Sequence, residues 1–298
     1  MSHFRSSIIR ILLLFAIVPP GGAFAAPNRV LLNIPYVPNG SPGQRLDLYL
    51  PAQPGPPSPL VVWIHGGAWR AGSKDVCPAR ILVPFGYAAA SIEYRFSQEA
   101  VFPAQIEDCK AAIRWLRAHA AEYNIDPARI GVWGASAGGH LVAMLGVTGN
   151  IRDFDVGANL NESSAVQCVV DYFGPVDFLH YGPPGKVNLD GLDSAVDELL
   201  GGPVAADQAR ARRASPVYYV TGHEPPFLIL QGDRDPLVPY QQSQELEAVL
   251  LKAGDQATLK MIPGAGHGGP GFNTPQIWSL VGVFTNRWLR PERPHASP

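Results

Sequence analysis

A chain of 298 residues, 46% hydrophobic and 16% charged, is too apolar for a disordered protein and has no internal repeat, so one large globular α/β domain accounts for it. Its formal charge of −2, from 23 basic and 25 acidic residues with no basic block, argues against nucleic acid as a partner. The three cysteines, Cys77, Cys109 and Cys168, lack zinc-site spacing, and no metal is expected.

The chain opens on a leader-like segment. Arg5 and Arg10 precede an apolar run over residues 11–18, Pro19 to Gly22 break it, and Ala23-Phe24-Ala25 offers small residues for cleavage. Residues 1–25 therefore read as a cleavable signal peptide, which predicts a secreted or periplasmic protein without stable membrane insertion. The run is well short of the ~20 residues that span a bilayer. Cleavage would remove two arginines and no acid, leaving 21 basic against 25 acidic residues and a formal charge of −4. In an oxidising compartment three cysteines predict one disulfide and one leftover thiol, with Cys77 and Cys109 as the expected pair.

Further along, Leu46, Leu48 and Leu50 alternate within residues 45–50, as in a half-exposed strand near a sheet edge. Five prolines in residues 51–59 mark a surface connection. Continuous apolar runs at 60–64, 87–92, 130–133, 166–172, 227–231 and 259–262 predict strands buried on both faces. Helical patterns occupy 77–84, 103–121, the stretch after Ser136, 241–251 and 276–289. In 103–121, Ile106, Ala112, Ile113, Leu116 and Ala120 recur at helical spacing behind an initial proline. This alternation predicts a mostly parallel sheet covered by helices on both faces, forming a single domain over 26–298. Residues 174–224 interrupt the rhythm, with one clear helix near 194–200, and read as a small cap over the pocket. Asp190, Asp193 and Asp197 read as its solvated face, and the proline-rich 290–298 as a mobile tail.

Gly134-Ala135-Ser136-Ala137-Gly138 stands between a predicted strand and a predicted helix, where a tight turn holds a serine out over the sheet as a nucleophile. Two later loops follow predicted strands, one carrying Asp233 and Asp235 and the other His267 among glycines. Open α/β sheets place their sites at such carboxyl ends. The chain order serine, acid, histidine is that of an α/β-hydrolase triad. His267 is expected to take and return the Ser136 proton and Asp235 to orient it, with Asp233 bracing the turn. Gly66 and Gly67, in His65-Gly66-Gly67-Ala68-Trp69 after a buried strand, would donate their amides with Ala137 to an oxyanion. His65 reads as an anchor of that turn, Glu93-Tyr94-Arg95 as bracing, and His140 as a packing residue. Trp69 reads as an aromatic wall of the substrate pocket, with core packing as the alternative.

These residues resemble the exported α/β-hydrolase esterases related to the hormone-sensitive-lipase group, especially those grouped with bifunctional feruloyl and acetyl-xylan esterases. The carriers are the Gly66-Gly67 turn, the Ser136 pentapeptide with Gly139-His140, Tyr172-Phe173-Gly174-Pro175-Val176-Asp177, Asp235-Pro236-Leu237-Val238-Pro239 and Gly264-Ala265-Gly266-His267-Gly268. The resemblance implies hydrolysis of short acyl or aryl esters, free or linked to polysaccharide, through an acyl-enzyme without metal or organic cofactor. Gln231 departs from the histidine that relatives often carry there. The glycine turn is also similar to that of kynurenine formamidases, which makes an arylformamidase one alternative. A binding protein that kept the fold without catalysis is another.

Overall fold

The computed structural model describes residues 29–52, 55–181 and 193–290. The leader at 1–25 and Asp190 lie outside these residues, as does the tail beyond Arg290. Eight strands form one sheet: β1 (Arg29–Pro35), β2 (Arg45–Leu50), β3 (Ser58–Ile64), β4 (Ala88–Ile92), β5 (Ile125–Ala135), β6 (Cys168–Tyr172), β7 (Phe227–Gly232) and β8 (Ala257–Ile262). Their order is β1-β2-β4-β3-β5-β6-β7-β8. Strands β1 and β2 join antiparallel, and every pair from β4 to β8 is parallel. The principal helices are α1 (Ala104–Ala118), α2 (Ala137–Val147), α3 (Asp193–Leu200), α4 (Gln208–Arg213), α5 (Tyr240–Ala253) and α6 (Pro275–Leu289).

The continuous apolar runs of β3 to β7 follow from two-sided burial, whereas the 259–262 run, expected to be buried on both faces, lies on edge strand β8, where Lys260 is exposed. On β3, Leu60, Val62 and Ile64 enter the core that also holds α1, α2 and α5 side chains, while Val61 and Trp63 enter the opposite core beneath α6. Both sides of the pleat are thus apolar, and alternation disappears.

The structure corrects several expectations. Strand β2 is not half-exposed: Asp47 and Tyr49 are buried as well as its leucines, because β1 covers its edge and Lys74 Nζ pairs with Asp47 at 3.1 Å. Strand β1 carried no sequence signal, since it exposes most of its residues. It is held by the ladder and by Asn33 N–H donating to Asp47 at 2.7 Å. The 77–84 helix is a 3-10 helix, Pro78–Phe85, with an internal proline and Gly86 capping it at φ 80°. Beyond the expected helix in 174–224 stands α4, whose sequence QARARR has no apolar period; it starts on an Asp207 cap that accepts from Arg210 N–H. Asp197 is half-buried on α3. Arg290 is pinned, donating to Phe85 O at 2.9 Å and Gly86 O at 2.5 Å. All three cysteines are buried free thiols. Cys109 lies in the α1-side core and Cys77 in the other, so the sheet stands between the expected partners.

Candidate active site

Strand β5 ends at Ala135 and α2 begins at Ala137, leaving Ser136 alone to reverse the chain at φ 57°, ψ −120°. That left-handed backbone is sparsely populated for serine and persists only when its surroundings hold it. Ser136 N–H donates to Tyr172 O at 2.8 Å, and its carbonyl accepts the first bond of α2 from His140 N–H at 2.9 Å. The glycines follow from close approach. A Cβ on Gly134 would lie 2.3 Å from Gly138 O, and one on Gly138 would lie 2.1 Å from Ile64 O.

The loops after β7 and β8 bring the other two groups to this serine. His267 Nε2 is 2.8 Å from Ser136 Oγ, and Nδ1 is 2.7 Å from Asp235 Oδ2. An ionised Asp235 accepts only, so Nδ1 carries the proton and Nε2 is left to accept from the serine hydroxyl. The Asp235 carboxylate is fully buried. Its Oδ1 accepts from Leu237 N–H at 2.8 Å and Val238 N–H at 2.9 Å, and its Oδ2 also receives Gln231 Nε2–H at 3.1 Å. Asp233 accepts from Gly264 N–H at 2.6 Å and so braces the two loops against each other.

Gly66 lies against this serine, Ala137 follows it in the chain, and Gly67 follows Gly66 in the turn after β3. A Cβ on Gly66 would sit 2.7 Å from Ala135 O and 3.1 Å from Ser136 Cβ, so the turn after β3 rests directly on the elbow. Among the described residues, neither the Gly66 nor the Gly67 amide is bonded to a backbone acceptor. His65 anchors this turn, with Nδ1 2.7 Å from Gly66 O, Nε2 2.9 Å from Glu93 Oε1, and its ring stacked on Tyr94 at 4.6 Å. Glu93 also accepts from Lys74 N–H, and Tyr94 OH donates to His65 O. Arg95 instead forks onto Asp108.

Trp69 does not stand on an open wall. Its ring is 1% exposed and donates Nε1–H to His140 Nδ1 at 3.1 Å, which makes it part of the packing behind the glycine turn. Burial pushes the His140 imidazole down to about 4. Two residues named in the sequence were assigned no part in the site. Phe173, at φ 44°, lays its ring 4.6 Å from that of His267 and 4.7 Å from Phe272. Gln231 ties Asp235 to α5, because its Oε1 accepts from Ser243 Oγ–H at 2.8 Å. A glutamine inside an otherwise apolar buried strand was the signal available for it. Asp171, on β6 beside the elbow, is buried with Oδ1 accepting from Gly174 N–H and Oδ2 without a partner among the described residues, and desolvation pushes its carboxyl up to about 7.

Comparisons with known proteins agree with this architecture. The chain is 32% identical over 255 residues to Esterase LipC of Mycobacterium tuberculosis, covering 83% of this chain and 62% of LipC. It spans about half to three-fifths of the length of the curated relatives it matches first. Among solved structures it resembles a truncated carbohydrate esterase from gut microbiota, with a TM-score of 0.80 and 34% identity over 90% of this chain and 99% of that one. A butyrate-bound esterase of Thermogutta terrifontis superposes with a TM-score of 0.70 and 25% identity over 89% of this chain and 96% of that one. Residues 46–250 match the BD-FAE family, and on that match, with a mostly parallel α/β-hydrolase sheet beneath it, the chain belongs to the BD-FAE family.

Proposed function

We propose that this protein is a serine carboxylesterase that hydrolyses short acyl or aryl esters through an acyl-enzyme. The observation that carries the reading is the hydrogen-bonded chain from Ser136 Oγ through His267 to the buried Asp235, at 2.8 and 2.7 Å. Ser136 Oγ attacks the ester carbonyl carbon while His267 Nε2 takes its proton. The carbonyl π pair moves to oxygen, and the amides of Gly66, Gly67 and Ala137 receive that charge. Collapse breaks the carbon–alkoxide bond, and the alcohol leaves with the proton from His267. Water repeats the sequence and releases the acid. Asp235 holds the imidazole in this tautomer and stabilises the imidazolium.

The likeness to a carbohydrate esterase supports esters of saccharides as the natural substrates. The basic-then-apolar leader supports export to the periplasm or beyond, and among the described residues no helix is long and apolar enough to cross a membrane. The 174–224 insertion is proposed as a small cap on a single catalytic domain. Purified protein should hydrolyse p-nitrophenyl acetate and butyrate, methyl ferulate and acetylated xylan in preference to a palmitoyl ester and N-formylkynurenine. Turnover confined to the formyl amide would replace the esterase with an amidase, and folded protein inert to the whole panel would replace it with a binding protein.

A further inference from the structure

The glycine turn beside Ser136 closes on its own hydrogen bonds, with Arg70 and Ala71 N–H donating to Gly67 O, yet its backbone is strained. Gly67, Ala68 and Trp69 run consecutively through positive φ, at 117°, 54° and 56°. Alanine and tryptophan adopt that region only under constraint. His65 anchors the start of the turn, and Trp69 constrains its end. The Trp69 ring lies edge-on to His140 at 5.3 Å and to Phe178 at 5.7 Å, and its carbonyl accepts from both Ser97 N–H and Ser97 Oγ–H. An indole N–H can only donate, so the His140 Nδ1 that receives it must present a lone pair. The one ring proton then sits on Nε2, which donates to Ala214 O at 2.7 Å. Both His140 nitrogens are engaged, which leaves neither for a substrate. Ala214 follows α4 and is itself buried, next to a Ser215 whose hydroxyl accepts from Phe178 N–H. A single imidazole tautomer therefore joins the turn after β3, the first turn of α2 and the insertion between β6 and β7.

We infer that His140 is a positioning residue for the oxyanion site: by fixing the Trp69 indole it holds the strained turn so that Gly66 stays against Ser136 and the Gly67 amide stays in place beside it. The same bond to Ala214 makes that geometry depend on how the insertion is seated. This rests on the esterase reading. A displaced turn loses hydrogen bonds to charge that develops only in the transition state, so the defect falls on turnover more than on substrate binding.

The test is steady-state hydrolysis of p-nitrophenyl butyrate by wild type, Trp69→Phe, His140→Leu and His140→Gln. Each is also titrated with a trifluoromethyl ketone, which forms a tetrahedral oxyanion adduct on a serine. Trp69→Phe keeps a buried aromatic ring and deletes the donor together with part of the indole's volume, so the rescue by His140→Gln carries the hydrogen-bond reading. His140→Gln offers an acceptor to Trp69 and a donor to Ala214. Trp69→Phe and His140→Leu should lower kcat by roughly 10- to 100-fold, the scale set by small misplacements of catalytic groups. They should weaken the ketone by a similar factor with KM little changed, and His140→Gln should recover most of both. A folded Trp69→Phe with wild-type kcat and ketone affinity overturns the inference, as does a defect confined to KM. If His140→Leu fails to fold, Trp69→Phe and His140→Gln decide. Wild-type turnover that survives Ser136→Ala would defeat the esterase reading itself, and the inference with it.

Discussion

Asp235→Asn tests the orientation of the histidine, and the structure dictates how it fails. All four neighbours of the carboxylate donate: Leu237 and Val238 N–H to Oδ1, Gln231 Nε2–H and His267 Nδ1–H to Oδ2. An asparagine has one oxygen and one NH2 to meet them. Turning its NH2 toward Leu237 and Val238 would strand two backbone donors at about 1–3 kcal/mol each. The favoured rotamer keeps the oxygen there and points NH2 at His267, so Nδ1 must accept and the ring proton moves to Nε2. The imidazole can then no longer take the Ser136 proton. A wrong tautomer of this kind costs roughly 10⁴-fold in kcat, or about 5 kcal/mol of barrier. Asp233→Asn retains an oxygen for Gly264 N–H and should lose far less. Initial rates on p-nitrophenyl butyrate, with melting curves to show folding, decide the matter. An Asp235→Asn enzyme within a factor of ten of wild type, or an Asp233→Asn enzyme as impaired as it, would refute the reasoning.

The remaining predictions concern support and stability. Gln231→Leu strips Asp235 Oδ2 of one donor and Ser243 of its acceptor, and should cost about 1–3 kcal/mol in urea unfolding together with a fall in kcat; unchanged stability would mean that the pair is idle. Gly138→Ala should be strongly destabilised or fail to fold, because its methyl would lie 2.1 Å from Ile64 O; Gly282→Ala on α6 meets nothing within 4 Å and should raise stability by about 0.4–1 kcal/mol. Asp171 has a folded-state carboxyl raised from 3.8 to about 7. The native state therefore keeps a proton that the unfolded chain releases, and stability should fall as pH rises from about 4 to about 7, then level off. Asp171→Asn should flatten that decline in denaturant titrations across the same range, and an identical pH profile in the variant would contradict it.

Much of this was legible in sequence where the physics is local. Strands β3 to β7 announced themselves as short runs apolar on both faces, whereas edge strand β8 exposes Thr258 and Lys260 on one face; the serine elbow showed as small residues around a turn that tolerates no side chain. What escaped depended on partners distant in the chain. Strand β1 exposes Val30 and Leu32, only half-buries Leu31 and Ile34, and exists through pairing with β2; without that pairing it has no clear pattern to read. The buried state of Asp47 needed Lys74, and the placement of Trp69 needed His140 from another element. The cysteine pairing failed because spacing says nothing about which face of a sheet a thiol enters. Gln231 was visible as a departure, but its bond to Asp235 required the acid loop to fold back over β7.

The most direct test of the proposed mechanism is covalent labelling with a fluorophosphonate, read by intact mass and peptide mapping. A serine activated by His267 should take up one phosphonyl group per chain, located on Ser136, and Ser136→Ala and His267→Ala should abolish it under the same exposure. A folded wild-type protein that stays unlabelled, or that carries its label on another residue, would contradict the nucleophile and the hydrolytic role built on it.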